Sequence, residues 1–211
     1  MRTKHRNTLP TAPRILSDGL ITMLAGIAVA AWSPHATASP NAQCPAPAEL
    51  AASATAPRWG GPLSEALPGL RWRSGTTQTS GTLAGRIVIV EFWTFDCINC
   101  RRTIPAMKAL AARYASGDVV LLGIHTPELR HEYDPARVSQ AIADEGIGYP
   151  VAQDNDYKAW DAFHNQYWPA LYVLDGTGAV RYRHIGELHE GSAAWTTFLE
   201  RVDALRAPKR P

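Results

Sequence analysis

The run Ile87-Val88-Ile89-Val90-Glu91-Phe92-Trp93 is apolar at every position but one and rich in β-branched side chains. Such a run reads as a strand covered on both faces, and it requires a sheet with layers on either side. It ends in a short turn holding Cys97-Ile98-Asn99-Cys100, where a helical pattern begins. Ile104, Met107, Leu110, Ala111 and Tyr114 recur at helical spacing up to a stop at Ser116-Gly117-Asp118. Two sulfurs at this spacing on a strand-to-helix turn are close enough to form and break a small disulfide. Free N–H groups and the macrodipole at the helix start favour a thiolate at the first of them, the form that acts as nucleophile in thiol exchange.

Other chemistries place further demands on Cys97-x-x-Cys100. A zinc site needs a second ligand pair, and the chain has one other cysteine, Cys44. Haem attachment needs a histidine after the second cysteine, where Arg101 stands. Redox chemistry is the expectation. Glu91 is the polar exception in the strand. A carboxylate there is costly to bury, so it is expected with a raised pKa as a proton acceptor for Cys100, or else in an ion pair with a nearby Lys or Arg. Arg101 and Arg102 either strengthen the pull on a thiolate or form a solvated face.

The N-terminus reads as an export signal. Arg2, Lys4, Arg6 and Arg14 form a basic region, Leu20 to Ala31 is an uncharged apolar run, and Ala36-Thr37-Ala38 offers a cleavage site. The run is shorter than the roughly 20 residues of a spanning helix, so cleavage is expected over an uncleaved anchor. Residues 1–38 hold four Lys/Arg and one acidic residue; of the 21 basic and 19 acidic residues, 17 and 18 remain, a charge near −1. Nothing in that balance points to nucleic acid. Export places the dithiol where disulfides persist. Residues 39–62, rich in Ala and Pro, read as a flexible leader in which Cys44 is an unpaired thiol, and 63–207 as the folded domain.

Within that domain, Gly69 to Gln78 suggests a short hairpin. Val119 to Ile124 is a second buried strand, followed by His125, which is either near the thiols or structural. Asp134-Pro135 starts a helix with Val138, Ala141 and Ile142 on one side. Asp154-Asn155-Asp156 caps a shorter helix whose Tyr157, Trp160 and Phe163 are expected in the core. Trp168-Pro169 precedes a strand, and an aromatic residue before proline raises the chance of a cis bond. Asp175-Gly176-Thr177-Gly178 turns that strand into a hairpin partner, Ala179 to Ile185. Ser192 to Leu205 closes the chain as an amphipathic helix.

Taken together, these elements resemble a thioredoxin fold, and more narrowly the exported TlpA/ResA type and the thioredoxin-like domain of DipZ proteins. The stretches that carry the likeness are 92–100, His125-Thr126-Pro127-Glu128, 149–156 and Tyr167-Trp168-Pro169-Ala170. The resemblance implies an α/β architecture: a central mixed sheet, helices on both faces and a helical insertion before a cis-proline at Pro169. It further implies that Cys97 attacks and Cys100 resolves, forming a redox-active disulfide without another cofactor. Glu91 matches the family's buried acid and Pro105 its helix-kink proline. Trp93, Ile98, Asn99 and Trp168 are the expected substrate contacts. The implied activity is exported thiol–disulfide exchange with protein substrates, supplied with electrons by a separate membrane partner. The Ile98-Asn99 spacer departs from better-known members, so a redox potential does not carry over. Two other functions stay open. One is a thiol peroxidase of peroxiredoxin type, because Thr94-x-x-Cys97 matches half of that motif although Val90 replaces its proline. The other is a metal- or haem-delivery module.

Overall fold

The computed structural model describes residues 59–206. The expected signal segment, Cys44 and residues 39–58 of the leader lie outside them. The first strand of the core is β2, Ile87–Trp93, with all seven side chains buried. It lies between β3, Val119–His125, which runs parallel to it, and β5, Ala170–Leu174, which runs antiparallel. Outside these come β4, Val151–Gln153, parallel to β3, and β6, Val180–Ile185, antiparallel to β5. The edge strand β1, Arg71–Ser74, pairs antiparallel with β4, so the order is β1-β4-β3-β2-β5-β6. The sheet is mixed, as expected.

Alternation along β2 divides the core. Ile87, Ile89 and Trp93 face one layer, and Val88, Val90 and Phe92 face the other. The first layer is formed by α3, Ile98–Arg113, α4, Pro135–Asp144, and α6, Ala193–Arg206. The second includes α1, Gly61–Ala66, α2, Ser80–Leu83, and α5, Lys158–Ala162. Each fully buried aliphatic side chain contributes about 1.5–3 kcal/mol relative to exposure, so two covered faces hold the central strands firmly.

Local signals explain most helix ends. Asp134 accepts the Ala136 N–H at 2.8 Å ahead of Pro135, and Val138 and Ile142 of α4 are buried. In α6, Phe198 and Val202 are buried, with Trp195 and Leu199 half-buried beside them. The Asp154 carboxylate accepts from the N–H groups of Ala159 and Trp160, so it does start α5. Tyr157 occupies the adjoining position in a left-handed conformation, φ 58°. Of the aromatic stripe only Phe163 is fully in the core; Tyr157 and Trp160 are half-buried.

The hairpin expected between Gly69 and Gln78 is not formed. Arg71 pairs with Gln153 instead, and Ser80–Leu83 is a short helix with a Thr79/Thr82 capping box. The pairing is long-range, and nothing in the local pattern announces it.

Candidate active site

The parallel strands β2 and β3 end side by side, with Trp93 opposite His125. The chain leaving β2 makes the turn Thr94–Asp96 and enters α3 through Cys97, the residue before the first helical turn. The Cys97 sulfur accepts the N–H of Cys100 at 3.3 Å, so the helix start presents one of its unpaired donors to that sulfur. Cys97 is half-buried, whereas Cys100 is completely covered. Burial pushes the Cys100 thiol far above the ordinary thiol range. The contact with Cys97 and the charge of Glu91 push the same way, while the Thr94 backbone hydrogen bond pulls it down. The dithiol therefore consists of one accessible sulfur and one sheltered sulfur that needs help to lose its proton.

Glu91 lies two residues before Trp93 on the same strand and is fully buried. Burial raises its pKa to about 8, against the opposing pull of a hydrogen bond from the Tyr149 hydroxyl at 3.1 Å. Among the described residues no Lys or Arg forms an ion pair with it, so the ion-pair alternative gives way to a tyrosine. The second carboxylate oxygen, Oε1, has no hydrogen-bond partner.

Register places Pro169 at this end of the sheet, because Phe92 pairs with Ala170 at the start of β5. The Trp168–Pro169 bond is cis. Trp168 is half-buried, donates its indole N–H to Thr126 O at 3.0 Å and packs on Trp160 with ring centroids 4.1 Å apart. Of the expected substrate contacts, Ile98 is 56 % exposed and Asn99 is exposed. Trp93 is instead fully buried, its ring edge-on to His125 on the α3 side of the sheet. It supports the site from behind and is not a surface contact.

His125 is also fully buried, stacked on Phe95. Burial lowers its pKa to about 4, although the nearby Glu132 charge acts in the opposite direction. The Thr94 hydroxyl donates to Glu132, so its lone pair takes the Nε2–H of His125 at 3.2 Å. That fixes the imidazole tautomer. It also commits the Thr94 hydroxyl to Glu132 and His125. Arg101 and Arg102 pair with Glu145 and Glu187 at 2.8 and 3.3 Å on the exposed face of α3, in keeping with a solvated face.

Glu132 was not singled out in the sequence. It is fully buried in a 3-10 turn, Arg130–Tyr133. One oxygen accepts from Thr94 Oγ1 and Asp96 N, the other from the backbone N–H groups of Glu128 and Leu129, both at 2.7 Å. One carboxylate thus ties the turn before Cys97 to the loop that follows β3. Nothing in the sequence separates it from the exposed Glu128 nearby. Among the described residues no group of three His, Cys, Asp or Glu side chains is placed to hold a metal ion, and no helix is long and apolar enough to cross a membrane.

Known proteins resemble this chain in sequence and in fold. The protein DipZ of Mycobacterium tuberculosis is 39 % identical over 127 residues, which cover 57 % of this chain and 18 % of DipZ. The chain thus matches less than a fifth of that relative. The thiol-disulfide oxidoreductase YkuV of Bacillus subtilis is 26 % identical over 125 residues, covering 59 % of this chain and 84 % of YkuV. The crystal structure of a thiol-disulfide isomerase from Corynebacterium glutamicum superposes with a TM-score of 0.57 at 19 % identity, over 65 % of this chain and 92 % of that one. That likeness establishes a thioredoxin-like fold. The AhpC/TSA family pattern matches residues 63–183, more than half of the sequence, and with the mixed sheet and the dithiol at its edge this chain belongs to the AhpC/TSA family.

Proposed function

We propose that the protein is an exported thiol–disulfide oxidoreductase that reduces disulfides in other proteins. The observation that carries this reading is the asymmetry of the pair: Cys97 is accessible at a helix start, and Cys100 is buried behind it with its N–H on the Cys97 sulfur. Cys97, as thiolate, attacks one sulfur of a substrate disulfide and expels the other as a thiolate. Cys100 then gives its proton to the Glu91 carboxylate, and the Cys100 sulfur attacks Cys97. The substrate's second thiolate leaves, two electrons have passed to the substrate, and the protein holds a Cys97–Cys100 disulfide. A dithiol donor at the membrane returns the electrons.

Substrate backbone lies along Pro169, with Ile98, Asn99 and Trp168 around it. Export rests on the basic-then-apolar N-terminus and its small-x-small site. Relatives that include a thiol-disulfide oxidoreductase support the chemistry. Equilibration with graded glutathione buffers, followed by alkylation and mass analysis, tests it. A Cys97–Cys100 disulfide should appear and disappear across the series. Two thiols that stay alkylatable, or that pair only with glutathione, contradict it.

A further inference from the structure

Glu91 of β2 and Tyr149, from the segment just before β4, meet across a glycine. Glu91 pairs with Gly123 on β3, and the Gly123 N–H donates to Pro150 O at 2.9 Å, which seats Tyr149 beside the same glycine. A Cβ at position 123 would come within 3.1 Å of Trp93 Nε1, 3.2 Å of Val151 Cγ2 and 3.3 Å of Tyr149 Cε2. Glycine leaves the room through which the Tyr149 ring reaches Glu91. The tyrosine is 4 % exposed and the acid fully covered, so the 3.1 Å contact is shielded from water. It engages only Oε2, and Oε1 has no partner.

We infer that Tyr149 is a positioning residue for the buried acid: its hydroxyl fixes one oxygen of the Glu91 carboxyl and leaves the other to take the proton of Cys100. This rests on the exchange reading above. The step is balanced: the Cys100 S–H bond breaks, an O–H bond forms on Glu91 Oε1, and the Cys100 sulfur keeps the electron pair for its attack on Cys97. A hydrogen bond donated to a carboxylate favours the charged, proton-accepting form. The ionisable group that acts on the carboxyl is the Tyr149 hydroxyl from the segment before β4, and the carboxyl's charge in turn acts on the Cys100 thiol of α3.

Tyr149→Phe removes one oxygen and keeps the ring. In the full-length protein carrying Cys44→Ser, the second phase of thionitrobenzoate release from Ellman's reagent reports the attack of Cys100 on loaded Cys97. That phase should slow about tenfold near pH 7, and its pH midpoint should rise by on the order of one unit, so the rates converge at high pH. A 13C titration of the Glu91 Cδ in reduced protein should show the same rise, independent of activity. An unchanged midpoint in a folded Tyr149→Phe variant, beside an impaired Glu91→Gln variant, overturns the role of Tyr149 alone. A Glu91→Gln variant that resolves as fast as the wild type overturns the acid step on which it depends.

Discussion

The N–H of Cys100 points at the sulfur of Cys97 across 3.3 Å, so the helix that buries one thiol directs an unpaired donor at the other. The two cysteines are three residues apart, yet Cys97 is half-buried and Cys100 fully covered. Cys97 packs against the rim of the core in which Cys100 is buried, and the Glu91 charge acts on Cys100. In the proposed exchange this division separates attack from resolution.

The buried acid has a cost in stability. The folded pKa of Glu91 is raised from 4.5 to about 8, so the folded protein holds a proton that the unfolded chain releases in that window. Its contribution is fully present below pH 4.5 and is lost as pH rises toward 8, at up to about 1.4 kcal/mol per pH unit. Urea unfolding of the reduced protein should show Glu91→Gln gaining on the wild type by a few kcal/mol between pH 5 and 8. A difference that stays constant with pH would remove the buried, protonated carboxyl from the account.

His125 acts with the opposite sign. Its pKa falls from 6.5 to about 4 on folding because burial disfavours the imidazolium. The stability associated with the neutral ring is present above pH 6.5 and is lost as pH falls toward 4, by about 3 kcal/mol at most. His125→Gln should therefore flatten the acid limb of the stability profile. Between pH 4.5 and 6.5 the two groups partly cancel in the wild type, so each is best read in its own variant.

Glu132 sits among four donors: Thr94 Oγ1 and three backbone N–H groups. An amide in its place would aim an NH2 group at donors whichever way it turned. Glu132→Gln should cost on the order of 3 kcal/mol in chemical unfolding, and the loop after β3 should lose hydrogen-exchange protection together with the turn before Cys97. Protection lost in only one of them would show that the carboxylate does not couple the two.

What could be read along the sequence was whatever depends on neighbours. The β-branched run of β2, the helical spacing of α3, the Asp134-Pro135 start and the Asp175-Gly176 turn are local, and each stands where it was expected. The Arg71–Gln153 pairing is not local, so the Gly69–Gln78 segment carries a hairpin-like pattern that the folded chain does not follow. The site divides in the same way. The cysteines, the out-of-place Glu91 and the Pro169 strand entry stand out by residue type. Tyr149 and Glu132 become visible only when the sheet brings their partners in from 58 and 38 residues away. Thr79-x-x-Thr82 was a readable cap that would have signalled α2.

The central claim is that Cys97 attacks and Cys100 resolves, and trapping tests it most directly. Cys100→Ser and Cys97→Ser variants, each expressed with the native signal in a native host, would be resolved on non-reducing gels. The account predicts discrete, reductant-sensitive mixed disulfides with Cys100→Ser and none with Cys97→Ser. Trapping by Cys97→Ser, or by neither variant, would contradict it.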